Sequence, residues 1–512
     1  MKEKFVAELS SKYNSKGLTL IFGKGMLNKE VVPEVTVSLP LKMFNRHGLI
    51  AGATGTGKTK TLQVIAEGLS NAGVPSLVMD IKGDLSGLAE PGDQDNVHIQ
   101  NRHDKLQIPY ESTGFPVELL TLSDEKGIRL RATVSEFGPV LFSKILDLND
   151  TQSDIMAIIF KYCDDKGLPL VDLKDVRKVL QYVSEDPSGK AELKRDYGGI
   201  ASSSLSAILR SIVALEQQGA DKFFGELSFD PEDLLEKRGG KGVINILRVT
   251  DIQDKPNLFS TFMLGLLAEI YNTFPEQGDS DRPKLVLFID EAHLIFREAS
   301  KALLQQIETV VKLIRSKGIG IFFITQVPGD VPEEVLGQLG TKVQHALRGF
   351  TAKDKKEIDK AVENYPISEF YDASRVIQEL GIGEAFITGL NEKGIPTPLV
   401  HTYLRAPQSR MDVLTESEID KIVNRSELVD IYGREMDKET AYEILLEKME
   451  RVNGIEPATR QTHQPASPDE PSMLETLMTS SAGRQLQRTL VREGTKLLFS
   501  MLGASGRSRR RR

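Results

Sequence analysis

The stretch "GLIAGATGTGKTKTLQVIAEGLSNAG", residues 48–73, decides the fold. Leu49, Ile50 and Ala51 make an apolar run of strand length. The next eight residues, Gly52, Ala53, Thr54, Gly55, Thr56, Gly57, Lys58 and Thr59, fit G-x-x-x-x-G-K-[ST] at every fixed position. Beyond them Leu62, Ile65, Ala66 and Leu69 fall at helical spacing, and Gly73 and Pro75 supply a stop. Strand, glycine loop and helix in that order are the context a phosphate loop requires. The glycines let backbone N–H groups close around phosphate oxygens, and the helix aims its positive end at the same place. Lys58 is expected to reach the β- and γ-phosphates and Thr59 to place its hydroxyl on Mg2+; Lys60 completes the expected nucleotide contacts.

Such a loop needs a carboxylate elsewhere for the metal ion. "KLVLFIDEAHLIF" (284–296) supplies it: an apolar strand runs into Asp290 and Glu291. Carboxyl ends of buried strands are where ligands of open α/β sheets gather. Asp290 is expected to hold Mg2+ through water. Glu291 is placed to polarise an attacking water as general base, and this second acid favours hydrolysis over mere binding. His293 is either a sensor or a neighbour of the helix cap. "IGIFFITQ" (319–326) puts Gln326 at the end of another apolar strand, as a γ-phosphate or water sensor or else as the first loop residue. Arg315 and Arg348 are candidate arginine fingers, supplied by a neighbouring subunit to a charge-dispersed transition state; the alternative for each is a structural salt bridge. Asp80, Lys82 and Asp84 follow the strand after the phosphate-loop helix, and either line the cleft or form a solvated loop. His98 and His103 lack partners at metal-ligand spacing, and no "NKxD" motif reads a guanine base.

The wider chain fits this centre. Its 512 residues are 40% hydrophobic and 27% charged, enough for a large core. Strand-like runs at 75–87, 242–249, 284–290 and 319–326 alternate with helical patterns, which predicts an α/β fold with a mostly parallel sheet and helices on both faces. Expected units are a short β-rich segment (1–47), a core (48–139 and 241–405) interrupted by a helical insertion (140–240), and a helical segment (406–452). A linker (453–472) and an amphipathic stretch with an Arg-rich tail (473–512) follow. Residues 129–137 read as a strand element, and 383–404 as a hairpin that ends the core. The lone Cys163 excludes an internal disulfide and suits a reducing compartment as a small buried hydrophobe. No apolar run is long enough to span a bilayer, so a cytoplasmic protein is expected. The formal charge of −8 removes a whole-surface basic footprint, leaving a local patch such as a pore lining for any nucleic acid.

Four segments together resemble the HerA/FtsK branch of P-loop ATPases, and more narrowly the bacterial HerA-like proteins often called YjgR. They are 49–92 around "GATGTGKT", "VLFIDEAHLIF", "IRSKGIGIFFITQVPGDVPEEVLGQLG" and "GIPTPLV", and the likeness runs from about residue 15 to about residue 450. The resemblance implies a RecA-like core, a homo-hexameric ring with ATP and Mg2+ between subunits, and fingers acting in trans. It implies a DNA translocase or helicase-like motor on double-stranded DNA. Lys58, Thr59, Asp290, Glu291 and Gln326 match the family's catalytic set, and Arg315 lies where FtsK-type members carry an arginine before the sensor strand. Residues 1–47 are too few for the N-terminal barrel of archaeal members, so a nuclease partner is not expected. The other reading is a regulatory or scaffold ATPase whose nucleotide state controls assembly with a protein or membrane partner. A small-molecule kinase is disfavoured, because Glu291 suits water activation and no acceptor lid is evident.

Overall fold

A computed structural model describes residues 1–252, 255–278, 280–297, 301–349, 351–433 and 439–452. The expected linker at 453–472 and the amphipathic stretch and tail at 473–512 lie outside them. The described strands are β1 (Thr19–Leu27), β2 (Glu30–Pro40), β3 (Gly48–Ala51), β4 (Ser76–Asp80), β5 (Val117–Thr121), β6 (Ile128–Arg129), β7 (Lys237–Arg238), β8 (Lys241–Gly242), β9 (Ile244–Arg248), β10 (Leu285–Ile289), β11 (Ile319–Thr325), β12 (Thr341–Gln344), β13 (Glu384–Thr388) and β14 (Val400–Leu404). Twelve of them form one sheet in the order β2-β1-β14-β13-β12-β3-β11-β10-β4-β9-β5-β6; β7 and β8 form a separate two-stranded ribbon. From β12 to β6 every pairing is parallel, and from β12 outward to β2 every pairing is antiparallel.

The central strands are apolar throughout because both faces of the sheet are covered: all residues of β3, β10 and β11 are buried. Alternation along a strand then divides the core in two. Leu49, Met79, Leu287, Ile289 and Phe323 face one cluster, which the helices Asp150–Lys166, Leu173–Glu185 and Ser202–Gln217 cover together with Pro256–Thr273. Ile50, Val78, Phe288, Phe322 and Ile324 face the other, where Leu62, Ile65, Ala66 and Leu69 of the helix Lys58–Asn71 pack beside Phe5 and Leu9. Within the expected helical insertion, Asp150–Lys166, Leu173–Glu185 and Ser202–Gln217 are helices. The hairpin at 383–404 is the antiparallel pair β13 and β14. Cys163 is buried among the helices, and burial pushes its thiol well above its ordinary pKa.

Two regions differ from expectation. Residues 129–137 are not a strand element: β6 ends at Arg129, and a helix starts at Val134. Thr133 N–H donates to Glu136 Oε2 at 3.1 Å, and the first helical N–H groups, of Val134 and Ser135, donate to Val171 O and Leu170 O. This outweighs the β-branched residues that suggested a strand. Residues 1–47 open with a helix, Lys2–Lys12, and their two strands extend the core sheet, β1 pairing with β14. Among the described residues no single helix is long and apolar enough to cross a membrane.

Candidate nucleotide site at the carboxyl edge of the sheet

Parallel pairing brings the ends of five strands to one edge. Ala51 of β3 lies opposite Thr325 of β11 and Gln344 of β12, and Ile289 of β10 lies opposite Met79 of β4 and Phe323 of β11. The residues just beyond those ends therefore meet: the glycine loop, Asp290 and Glu291, Gln326, and the turn after Asp80.

The loop is anchored by its backbone. Gly52 N–H donates to Thr325 O at 3.2 Å and Gln326 O at 3.1 Å, and Ala53 N–H donates to Ala346 O at 2.8 Å. Gly52 is obligatory on steric grounds: a Cβ there would sit 2.5 Å from His345 Cβ. Gly57 caps the following helix with φ 109°, a left-handed conformation that a side chain would strain. Lys58 Nζ turns back onto the loop, donating to Gly52 O at 2.6 Å and Ala53 O at 3.2 Å. Burial, and then the charge of Lys82, holds its ammonium below its ordinary pKa. Thr59 and Lys60 open the helix half-buried, and Lys60 Nζ donates to Met411 O at 2.6 Å.

The acids sit within reach of the same charges. Asp290 is buried, and burial pushes its carboxyl up to about 6 against the opposing pull of Lys82. Glu291 is also buried and takes φ 46°, in the left-handed region that costs a non-glycine residue on the order of 1–3 kcal/mol. Its N–H donates to Asp290 Oδ1 at 2.9 Å. Lys82 Nζ lies 2.5 Å from Glu291 Oε1 and 3.9 Å from Asp290 Oδ2. Burial would lower the Lys82 pKa, but Asp290 and Glu291 outweigh it and hold it above its ordinary value. Glu291 Oε2 stands 3.1 Å from His293 Nδ1, yet neither atom has hydrogen-bonding geometry to any described group.

Asp80 does not face the loop as a free ligand. Its two oxygens accept from Gly83, Asp84 and Leu85 N–H at 2.7, 3.1 and 3.1 Å, bracing the turn that carries Lys82. Of the alternatives read for this segment, the structure thus brings Lys82 to the acids and gives Asp80 to the turn. Gln326 is exposed beside the loop.

The two arginines are elsewhere. Arg348 donates to the backbone oxygens of Gln378 and Leu380 within its own chain. Arg315 is exposed in the turn before β11, at the opposite edge of the sheet; partial burial and the like charge of Arg46 lower its pKa. His103, doubted as a metal ligand, is instead buried and bonded to the backbone at Ile108 O and Ala406 N.

His345 escaped the sequence reading. It is fully buried beneath the glycine loop, with Nε2 2.8 Å from Thr61 Oγ1. The signal was present in "TKVQH" (341–345), a strand that ends in polar residues as β10 and β11 do.

These residues fit a magnesium nucleotide. Lys58 lies against the glycine loop, on Gly52 O and Ala53 O. Thr59 and Asp290 would hold the ion, and Glu291 Oε2 is a buried acceptor with no hydrogen-bond donor among the described residues.

Comparison with known proteins identifies the family. The family model "Helicase HerA-like C-terminal" matches residues 26–508. The DNA double-strand break repair helicase HerA of Saccharolobus solfataricus is 23% identical over 358 residues, 69% of this chain and 64% of that protein. The chain thus spans slightly less than two thirds of that relative's length. The DNA import protein CedB of Sulfolobus acidocaldarius is 24% identical over 364 residues, 70% of this chain and 52% of that one. Among solved structures, the bacterial conjugative coupling protein TrwB lacking its first 70 residues superposes with a TM-score of 0.51 at 15% identity, covering 80% of this chain and 95% of that one. TrwB in complex with ADP and Mg2+ superposes equally, with a TM-score of 0.51, 15% identity and coverage of 79% and 94%. That likeness supports the RecA-like core, and the family match over almost the whole sequence places this chain in the HerA-like helicase family.

Proposed function

We propose that this protein is a Mg2+-dependent ATPase that hydrolyses ATP to ADP and phosphate and works as a ring-forming motor on double-stranded DNA in the cytoplasm. The observation that carries the reading is the convergence of the glycine loop, Lys58, Asp290 and Glu291 at one sheet edge. Loop N–H groups beyond Ala53 bind the phosphates, since those of Gly52 and Ala53 already donate to Thr325, Gln326 and Ala346 carbonyls. Lys58 leaves its loop carbonyls for the β- and γ-oxygens. Thr59 and Asp290 would hold Mg2+, which would supply neutralisation of the phosphate charge. Glu291 takes a proton from water as the water oxygen bonds to the γ-phosphorus; the bond from that phosphorus to the β–γ bridging oxygen breaks, and ADP leaves with the electron pair. Gln326, exposed beside the loop, orients the water.

Arg315 acts as the finger of a neighbouring subunit, rather than Arg348, whose guanidinium already serves two carbonyls of its own chain. DNA as the substrate rests on the names of the relatives, HerA and CedB. The test is phosphate release by the purified full chain against a nucleic-acid panel at stated salt. A several-fold rise with duplex DNA is expected, together with loss of activity on chelation of Mg2+. An intact oligomer indifferent to every DNA would remove the motor reading while leaving the ATPase.

A further inference from the structure

Lys82 has no place in the hydrolysis scheme above, yet it makes the closest charged contact in the site. Its ammonium touches Glu291 Oε1 at 2.5 Å, while its side chain remains 36% exposed. The turn that carries it is fixed by the three N–H bonds to Asp80, so the base of the side chain is held and only its four-carbon stem is free to swing. Lys58, Lys82, Asp290 and Glu291 together make two positive and two negative groups, close enough that Lys58 feels the other three.

We propose that Lys82 is a γ-phosphate-responsive latch on Glu291. The inference rests on the ATPase reading of this site. With the ammonium on Oε1, the Glu291 carboxylate is a poor base: its negative charge is neutralised and one oxygen is occupied. A terminal phosphate bound beside Lys58 presents concentrated negative charge within reach of the same stem and draws the ammonium across. Glu291 is then released to accept the proton of water, and only when there is a γ-phosphate to attack. A diphosphate lacks the competing group, so the latch stays on Glu291. Lys82 is thus a positioning residue that couples occupancy to the state of the base.

The alternative is an ordinary ion pair that holds the turn at 80–87 in place, and the two differ in binding. Affinities of the full-length protein for a fluorescent ADP and a fluorescent non-hydrolysable ATP analogue, both with Mg2+, would be measured for wild type, Lys82→Met, Lys82→Arg and Glu291→Gln. Lys82→Met should bind the triphosphate roughly tenfold more weakly and the diphosphate unchanged, and Lys82→Arg should retain part of the difference. Glu291→Gln should move the other way, binding the triphosphate more tightly because the competing carboxylate charge is gone. It reads the same coupling if Lys82→Met does not fold. Equal weakening for both nucleotides, or a triphosphate-to-diphosphate ratio unmoved in Lys82→Met and Glu291→Gln alike, would overturn the latch alone. A folded wild type that binds neither nucleotide would overturn the ATPase reading instead.

Discussion

The two edges of the parallel sheet are built from the same strands but arrange charge differently. At the carboxyl edge, Lys58, Lys82, Asp290 and Glu291 balance one another in a largely buried cluster. At the amino edge, Arg315 stands exposed beside the like charge of Arg46. Each edge is underpinned by a buried histidine. His345 supports the glycine loop through Thr61; His47 accepts from Ile321 N–H through Nδ1 and holds Val311 O through Nε2, tying β3 to β11 and to the helix Lys301–Ile314 that leads to Arg315. The seven residues of β11 separate the edges by roughly 20 Å at about 3.3 Å per residue. Arg315 cannot cross that distance to its own Lys58. An exposed arginine far from its own site suits the proposed role at another chain's site.

Removing Arg315 is therefore the largest break. Arg315→Ala should lower turnover by roughly 10³-fold while leaving nucleotide affinity unchanged, measured by phosphate release beside equilibrium binding. If Arg348→Ala has that effect and Arg315→Ala does not, the roles of the two arginines are exchanged. Glu291→Gln should lower turnover by about 10²-fold without weakening nucleotide binding, since it removes the base. Gln326→Ala should cost about tenfold, the size expected for orienting a water without exchanging its proton.

The smallest effect sharpens the likeness between the edges. Burial lowers the His47 pKa to about 4 and that of His345 to about 3, each from 6.5. Between those values and 6.5 the unfolded chain binds protons that the folded chain refuses. The neutral histidines thus cost nothing above pH 6.5, and stability falls as the pH drops from 6.5 toward 4. The melting temperature should decline over that window, and His345→Gln should flatten the decline while lowering the plateau above pH 7.

Most of the carboxyl edge was legible in the sequence because each part carries a local signature. The glycine loop has fixed spacing, and Asp290, Glu291 and Gln326 each follow an apolar strand that must end there. Strand alternation likewise announced the parallel sheet. What was not legible depends on tertiary contact. Nothing local says that Lys82 reaches across to Glu291 while Asp80, two residues before it, turns onto its own backbone. His345 belongs to the same edge only because β12 lies beside β3, a neighbour relation that spacing does not encode. The helix at Val134 was hidden for a different reason: a four-residue cap overrode β-branched residues whose preference is weak.

The central claim is that one chain's phosphate loop is completed by another chain's Arg315. It is tested most directly by mixing two inactive variants, Lys58→Ala and Arg315→Ala, under conditions where subunits exchange, and measuring phosphate release. The Lys58→Ala subunit keeps its arginine and the Arg315→Ala subunit keeps its loop. The account predicts that mixed assemblies recover activity neither variant has alone. Mixed assemblies that form and stay as inactive as their parts would contradict it.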